Sequence, residues 1–195
     1  MADLTTTAAV KAQLSINGTL DDTLIDLYVT QASQWVESYC KRQFSDTLGT
    51  LTLDACPPDQ FGRRLYFGQD VLGVYEVVNA GTTLTASQYR LLPPNDPPYY
   101  AIELLPSSGL TWTYTNDPQG AVTVAGTLGY CTSATRPADV TLAATKLATW
   151  LYQNRDNNDQ MVRFADGSVE IPSSAPAMIR QILDQGRYVK DRLYA

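Results

Sequence analysis

The sequence predicts an α+β protein, a small bundle of about four helices with an antiparallel β-barrel or sandwich module inserted into it. Two observations carry this reading. Amphipathic stripes of helical period stand at residues 21–40 and 137–152, and between them the apolar residues recur every second position instead of every third or fourth. A stripe needs a partner, and the simplest burial sets the two helices against each other. The implied domains are residues 1–47 together with 131–195 for the helices and 48–130 for the inserted module.

Thr6 or Thr7 can cap a first short helix at residues 8–14, because a threonine hydroxyl accepts the N–H groups that a first turn leaves free, and Asn17-Gly18 ends it. Asp21 and Asp22 cap the long second helix and complement its positive end, while Lys41, Arg42 and Gln43 stand at its carbonyl end. Its apolar stripe is Leu24, Ile25, Leu27, Tyr28, Ala32, Trp35, Val36 and Tyr39. Trp35 and, on the facing stripe, Leu147 are expected to be heavily buried.

From about residue 48 to 130 the period is two. Leu51 and Leu53 alternate with threonines, as do Leu110, Trp112 and Tyr114, and Val122 and Val124, which reads as half-buried strands. Asn79-Ala80-Gly81, the run from Pro93 to Pro98, and Asn116-Asp117-Pro118-Gln119-Gly120 are turn chemistry. Five to seven short strands fit this spacing.

Pro137 suits the first turn of the next helix, whose face is Val140, Ala143, Ala144, Leu147, Ala148, Leu151 and Tyr152. Residues 153–167 read as an exposed loop, since Asn154, Arg155, Asp156, Asn157, Asn158 and Asp159 contribute almost no apolar surface. This loop is expected to order against a neighbouring subunit or partner. Ser173 or Ser174 followed by Pro176 starts a last helix with Met178, Ile179, Ile182 and Leu183 on its face. Gly186 weakens or ends it and leaves residues 187–195 as a tail.

Composition narrows the function. At 195 residues, 44% hydrophobic and 17% charged, the chain can bury one good core or a core and a small second one. No apolar run approaches the roughly 18 residues that span a bilayer, and the N-terminus has neither a basic start nor an apolar h-region, so the reading is a protein made and kept in the cytoplasm. Cys40, Cys56 and Cys131 are odd in number and lack CxxC spacing, which indicates neither a disulfide framework nor a zinc site; three buried or half-buried thiols are expected. Histidine is absent. With it go the usual general base near neutral pH, the usual transition-metal ligand, and the Ser-His and Cys-His nucleophile systems.

With 20 acidic and 14 basic residues, a net charge of −6 and a pI near 4.5, the chain as a whole repels a phosphate backbone. The basic residues Arg180, Arg187, Lys190 and Arg192 are interleaved with Asp184 and Asp191, as on a solvated helix face. Asp156, Asn158 and Gln160 stand like the opening of a calcium loop, but Met161 and Gly167 occupy the positions where glycine and a bidentate acid are needed. Asp54, Asp59, Asp96 and Asp117 are not placed in pairs across a cleft, and no phosphate-cradle, nucleophile-elbow or zincin motif occurs. No catalytic residue, cofactor or metal is expected, and the chain reads as non-enzymatic.

Asp21-Asp22 opening a helix that ends in Trp35-Val36-Glu37-Ser38-Tyr39, then Arg136-Pro137-Ala138-Asp139-Val140 opening a helix that ends in Leu151-Tyr152, resembles the head-tail connector (adaptor, head-completion) proteins of tailed bacteriophages. The resemblance covers roughly residues 1–45 and 130–190. The hairpin of residues 74–78 and 81–84, followed by Tyr89-Arg90-Leu91, resembles the inserted domain of the larger members. What the resemblance implies is a virion protein of the neck, assembled in the host cytoplasm. It implies a homo-oligomeric, twelvefold ring between the portal protein and the tail, stopper or other neck protein, with DNA as non-specific cargo in its lumen and no membrane contact. Arg187, Tyr188, Arg192, Leu193 and Tyr194 combine cations with aromatic and apolar anchors and are the expected portal contact. Residues 154–159 are the expected subunit-interface or lumen loop. The competing reading makes the β module a ligand- or receptor-binding part of a tail or neck complex, with Pro97-Pro98-Tyr99-Tyr100 near Trp112 and Tyr114 as its aromatic surface.

Overall fold

In a computed structural model, which describes residues 2–56, 62–155, 162–163, 169–170 and 176–190, the chain runs α1 (Thr7–Leu14), α2 (Asp22–Cys40), β1 (Thr47–Leu53), β2 (Arg64–Asn79), β3 (Thr82–Thr83), β4 (Tyr89–Leu92), β5 (Tyr99–Leu104), β6 (Val122–Leu128), α3 (Ala138–Gln153), β7 (Val162–Arg163), β8 (Val169–Glu170) and α4 (Ala177–Gln185). It divides into a helical unit, residues 1–42 with 135–190, and a sheet unit centred on residues 43–134. Among the described residues, four α-helices and an antiparallel sheet make it an α+β protein.

In the helical unit, the Thr6 hydroxyl accepts the Ala9 N–H at 3.2 Å and starts α1 as its sequence requires. The helix ends earlier than Asn17-Gly18, at Ser15, which takes the left-handed conformation at φ 58° and returns its N–H to Ala12 and Lys11. α2 begins one residue after Asp21, whose side chain makes no capping bond; its Oδ2 instead accepts the Tyr152 hydroxyl at 2.6 Å. Lys41, left-handed at φ 52°, closes α2 through the Glu37 and Ser38 carbonyls. The expected contact of the two long helices is present, with α1 against both and α4 against α3. Ile25, Ala32 and Val36 of α2 and Val140, Ala143, Ala144, Leu147 and Leu151 of α3 are all fully buried.

The alanines on α3 keep that contact thin, and small hydroxyls of α2 and α3 bind the N-terminal segment and α1 beside it. Thr5 and Thr145 share a 2.6 Å hydrogen bond, Leu4 N–H donates to Ser33 Oγ at 2.9 Å, and Thr149 Oγ1 is within 2.8 Å of the Thr145 carbonyl and 3.1 Å of Gln13 Oε1. Each hydroxyl therefore enters the core with a partner, which removes the cost of burying it.

Three stripe residues depart from expectation. Trp35 is half-buried, stacked on Tyr39 with ring centroids 5.1 Å apart and planes at 10°. Leu27 is 47% exposed and Met178 on α4 is 49% exposed, because each lies at the edge of its stripe while Ile25 and Val29, or Ile179 and Leu183, hold the centre.

In the sheet unit the strand order is β1-β6-β2-β5-β4, all antiparallel, with β3 hairpinned onto β2. Among the described residues the path does not return from β4 to β1, so the sheet is open rather than closed into a barrel. β4 is four residues long and stops at Pro93, which has no N–H to continue a ladder. β2, at 16 residues, crosses the sheet with register shifts against both neighbours. Shifts of this kind bend and coil a strand, letting it pair with β5 at one end and β6 at the other. The β2 and β6 backbones touch at Gly126, where a Cβ would lie 2.1 Å from the Gly73 carbonyl oxygen. Leu65, Phe67, Val71, Val77, Ile102, Leu104, Trp112, Val122 and Val124 form the core under the sheet.

Residues 110–114 do not form the expected strand. Their partner is instead a side chain: Asn79 Nδ2 donates to the Thr111 carbonyl at 2.9 Å and Asn79 Oδ1 accepts the Thr113 N–H at 3.0 Å. The alternation holds only in part: Trp112 is buried between exposed Thr111 and Thr113, with its indole N–H on the Arg63 carbonyl at 2.7 Å, while Tyr114, expected on the same face, is exposed. A single amide replaces the ladder.

Candidate assembly surface

α4 is followed by a tight reversal. Gly186 leaves room for the Tyr188 ring, which a Cβ there would approach to 2.1 Å, and Tyr188 N–H returns to the Leu183 carbonyl at 3.2 Å. Lys190 N–H then donates to the Cys40 carbonyl at 2.9 Å, at the end of α2. Residues 187–190 are thus bound to their own helices, where a tail is expected from residue 187 on. Tyr188 is half-buried, and Arg187, at φ 55°, is exposed. Arg192, Leu193 and Tyr194 lie outside the described residues.

The same end of the helical unit holds Tyr39, whose hydroxyl donates to Asp184 at 2.9 Å. Burial and then this hydrogen bond raise its phenol above the ordinary range. Burial pushes the Cys40 thiol up to about 12 against the pull of Arg42, so it is an inert core group. Cys131 is also buried, and Cys56 is exposed where a buried or half-buried thiol is expected.

Asn154 and Arg155 follow α3 and cap its carbonyl end. Asn154 Nδ2 donates to the Trp150 carbonyl at 2.9 Å; Arg155 Nη1 donates to the Tyr152 carbonyl at 3.1 Å with its guanidinium 4.2 Å from the Tyr152 ring centroid. Asp156, Asn157, Asn158 and Asp159 lie outside the described residues, as do the calcium-loop positions Gln160, Met161 and Gly167. Arg187 and Tyr188 therefore belong to the end of α4 and Asn154 and Arg155 to the end of α3.

In the sheet unit Glu103 on β5 is held by two arginines, Arg64 Nη2 at 3.1 Å and Arg90 Nε at 2.6 Å. Burial pushes its carboxyl up, but the hydrogen bonds from Arg90 and Arg64 outweigh that and hold it below its ordinary value. A doubly paired carboxylate is a poor general base. It borders a hollow of about 330 Å³ lined by Arg63, Arg90, Leu104 and Pro106. Among the described residues no three His, Cys, Asp or Glu side chains gather as metal ligands, and no helix is long and apolar enough to cross a membrane. The aromatic residues are dispersed: Tyr66 and Tyr100 stack on each other at 6.2 Å, Trp112 is buried, and Tyr75 and Tyr114 stand exposed.

Residues 5–61 match the family model described as phage gp6-like head-tail connector protein. The matched residues span α1, α2 and β1. No curated protein sequence matches the chain. Three solved structures share the fold of this chain. One, from the neck of an empty gene transfer agent particle computed with C6 symmetry, has 21% identity and a TM-score of 0.55 over 90% of this chain and 87% of its own. A second, from the neck of the native particle computed with C12 symmetry, has 20% identity and a TM-score of 0.52 over 90% and 89%. A third, from the virion of the native particle, has 21% identity and a TM-score of 0.52 over 90% and 87%. The extent of these overlaps means that the likeness takes in the sheet unit as well as the helices.

Proposed function

We propose that this chain is a head-tail connector, a structural, non-enzymatic subunit of a virion neck, forming a ring that joins the portal vertex of a capsid to the tail, stopper or other neck protein and through which DNA passes. The observation that carries the reading is the coincidence of two likenesses. The first helices match connector proteins by sequence, and the fold along nine-tenths of the chain is shared with proteins of particle necks of C6 and C12 symmetry. On this reading residues 1–47 and 131–195 are the connector domain, and 48–130 an insertion carried by it.

The charge suits a conduit. At −6 per copy, twelve copies carry about −72, and a wall that repels phosphate lets DNA slide where a basic wall would hold it. Arg187, Tyr188, Arg192, Leu193 and Tyr194 remain the proposed portal contact, with Arg187 the exposed cation at the head of the segment, and residues 154–159 the proposed interface or lumen loop.

The test is to locate the subunit in an image reconstruction of its particle and to mix purified portal-bearing heads with the chain. A ring of the subunit between portal and tail is expected, and deletion of residues 191–195 is expected to leave the chain folded while attachment is lost. Heads completed normally without the subunit would overturn the reading.

A further inference from the structure

We infer that β1 is an assembly edge: its free backbone groups take an extended segment of a second copy of this chain, so that the sheet continues from one subunit into the next. This rests on the ring reading, because it requires copies side by side.

The geometry gives the direction of every backbone group in β1. Ala80 N–H donates to the Ala121 carbonyl and Gly129 N–H to the Asp70 carbonyl, so the odd-numbered residues flanking β6 turn toward β2. In an antiparallel ladder successive residues turn to opposite sides. Val122, Val124, Gly126 and Leu128 therefore turn toward β1, onto Leu53, Leu51, Gly49 and Thr47 in register. Leu48, Thr50 and Thr52 are left with N–H and C=O pointing away from the sheet, and they meet no backbone partner among the described residues.

An open edge of this kind is a template for another strand, and proteins that keep one unpaired blunt it with charge, proline or a bulge. The opposite edge is blunted. β4 has four residues, carries Arg90 and ends at Pro93. β1 has seven residues, Thr-Leu-Gly-Thr-Leu-Thr-Leu, with no charge and no proline, in unbroken register with β6. Its flanks are both acidic, Asp46 and Asp54, so the neutral run is confined to the strand.

Side chains agree with the backbone. Leu48 is 73% exposed and Tyr75 is 70% exposed, and both adjoin Thr127, Leu48 as its register partner and Tyr75 through its hydroxyl. On the other face Leu51 and Leu53 pack against the core but remain only half-buried, because β1 is the last strand over it. One more strand would cover them.

The occupant is a second copy, which the ring reading sets beside β1 and which the neutrality of this strand permits. Copies with a net charge of −6 repel one another wherever charged surfaces meet, and seven neutral residues give them a place to meet without that cost. In a cyclic ring the contact is head-to-tail, so β1 pairs with a different segment of the neighbour, since β1 on β1 would close as a two-fold dimer.

Thr50 supplies the test, because its N–H points outward and proline there removes no ladder bond of its own subunit. Thr50→Pro should leave the monomer folded, by circular dichroism and melting temperature, and reduce rings counted by native mass spectrometry at least tenfold. Thr50→Val keeps the N–H and should assemble as the wild type does. Amide exchange in the wild-type chain gives a second measurement that does not depend on the variant folding. Leu48, Thr50 and Thr52 should exchange freely in the monomer and at least a hundredfold more slowly in the ring. Rings of undiminished yield from a folded Thr50→Pro, or equal exchange of these amides in monomer and ring, would overturn the inference while leaving the ring reading intact. A wild-type chain that forms no ring, even on portal-bearing heads, would overturn both.

Discussion

The Tyr152 hydroxyl donates to Asp21 at 2.6 Å and ties the last turn of α3 to the residue that precedes α2, across 131 positions of sequence. Asp21 is the side chain that the sequence assigns to capping its own helix, and it serves another helix instead. The hydrogen bond to Asp21, and then burial, raise the Tyr152 phenol above its ordinary value, while Arg155 over the ring pulls it down. A group whose folded value is raised contributes stability below the unfolded value of about 10 and loses it as pH rises through the folded value. The tyrosinate absorbance that disappears in Tyr152→Phe should therefore titrate above about 10, and Asp21→Asn should move it down. No movement in Asp21→Asn would mean that the contact does not set the titration.

The two long helices are expected to lose most stability at Leu147. It is fully buried between stripes, so Leu147→Ala should cost about 2–5 kcal/mol in denaturant unfolding. Trp35 is half-buried against Tyr39, and Trp35→Ala should cost less than Leu147→Ala. The reverse order would show that the stack, not the stripe, holds the helices.

Asn79 is the clamp of the sheet unit. Asn79→Ala strands the Thr111 carbonyl and the Thr113 N–H together and should cost roughly 2–4 kcal/mol. Asn79→Asp keeps the acceptor for Thr113 and loses the donor to Thr111. Exchange of the Thr113 amide should therefore accelerate strongly in the alanine variant and less in the aspartate variant.

Glu103 gives the sheet unit an acid limit. Its carboxyl is held below its ordinary value, so its contribution is full above the unfolded value of about 4.3 and is lost as pH falls through the folded value. Arg90 is largely exposed and its pairing is screened, so Glu103→Gln should cost only about 1–2 kcal/mol at neutral pH. The difference between wild type and Glu103→Gln should shrink below about pH 4. A difference that stays constant down to pH 3 would remove the carboxylate from the account.

The sequence made the helices legible because period and caps agree there. Thr6, the stripe centred on Ile25 and Val36, and Pro137 before α3 all mark what the structure contains. It was less informative wherever a side chain takes over a backbone role. Nothing in an alternating run such as Leu110 to Tyr114 tells a strand from a segment pinned by one distant asparagine. The open edge of the sheet was hidden for a related reason, since a barrel and an open sheet share the same alternation and differ only in which strands meet. Trp35 shows the limit of a stripe, whose period fixes a direction but not how far the facing helix extends to cover it. Of the proposed contact residues, composition identified types but not tethers, and Tyr188 is half-buried after Gly186, beside a backbone tied back to Cys40.

The helical unit draws on residues 1–42 and 135–190, with the sheet unit between them. During synthesis, at about 5–20 residues per second, α2 leaves the ribosome several seconds before the helix that covers its stripe exists. The sheet unit, contiguous in sequence, can be finished in that interval. A chain cut short inside α3 would then present Ile25, Ala32 and Val36 uncovered and be a substrate for chaperones or proteases. Only a chain that has completed α3 therefore hides these residues from that machinery.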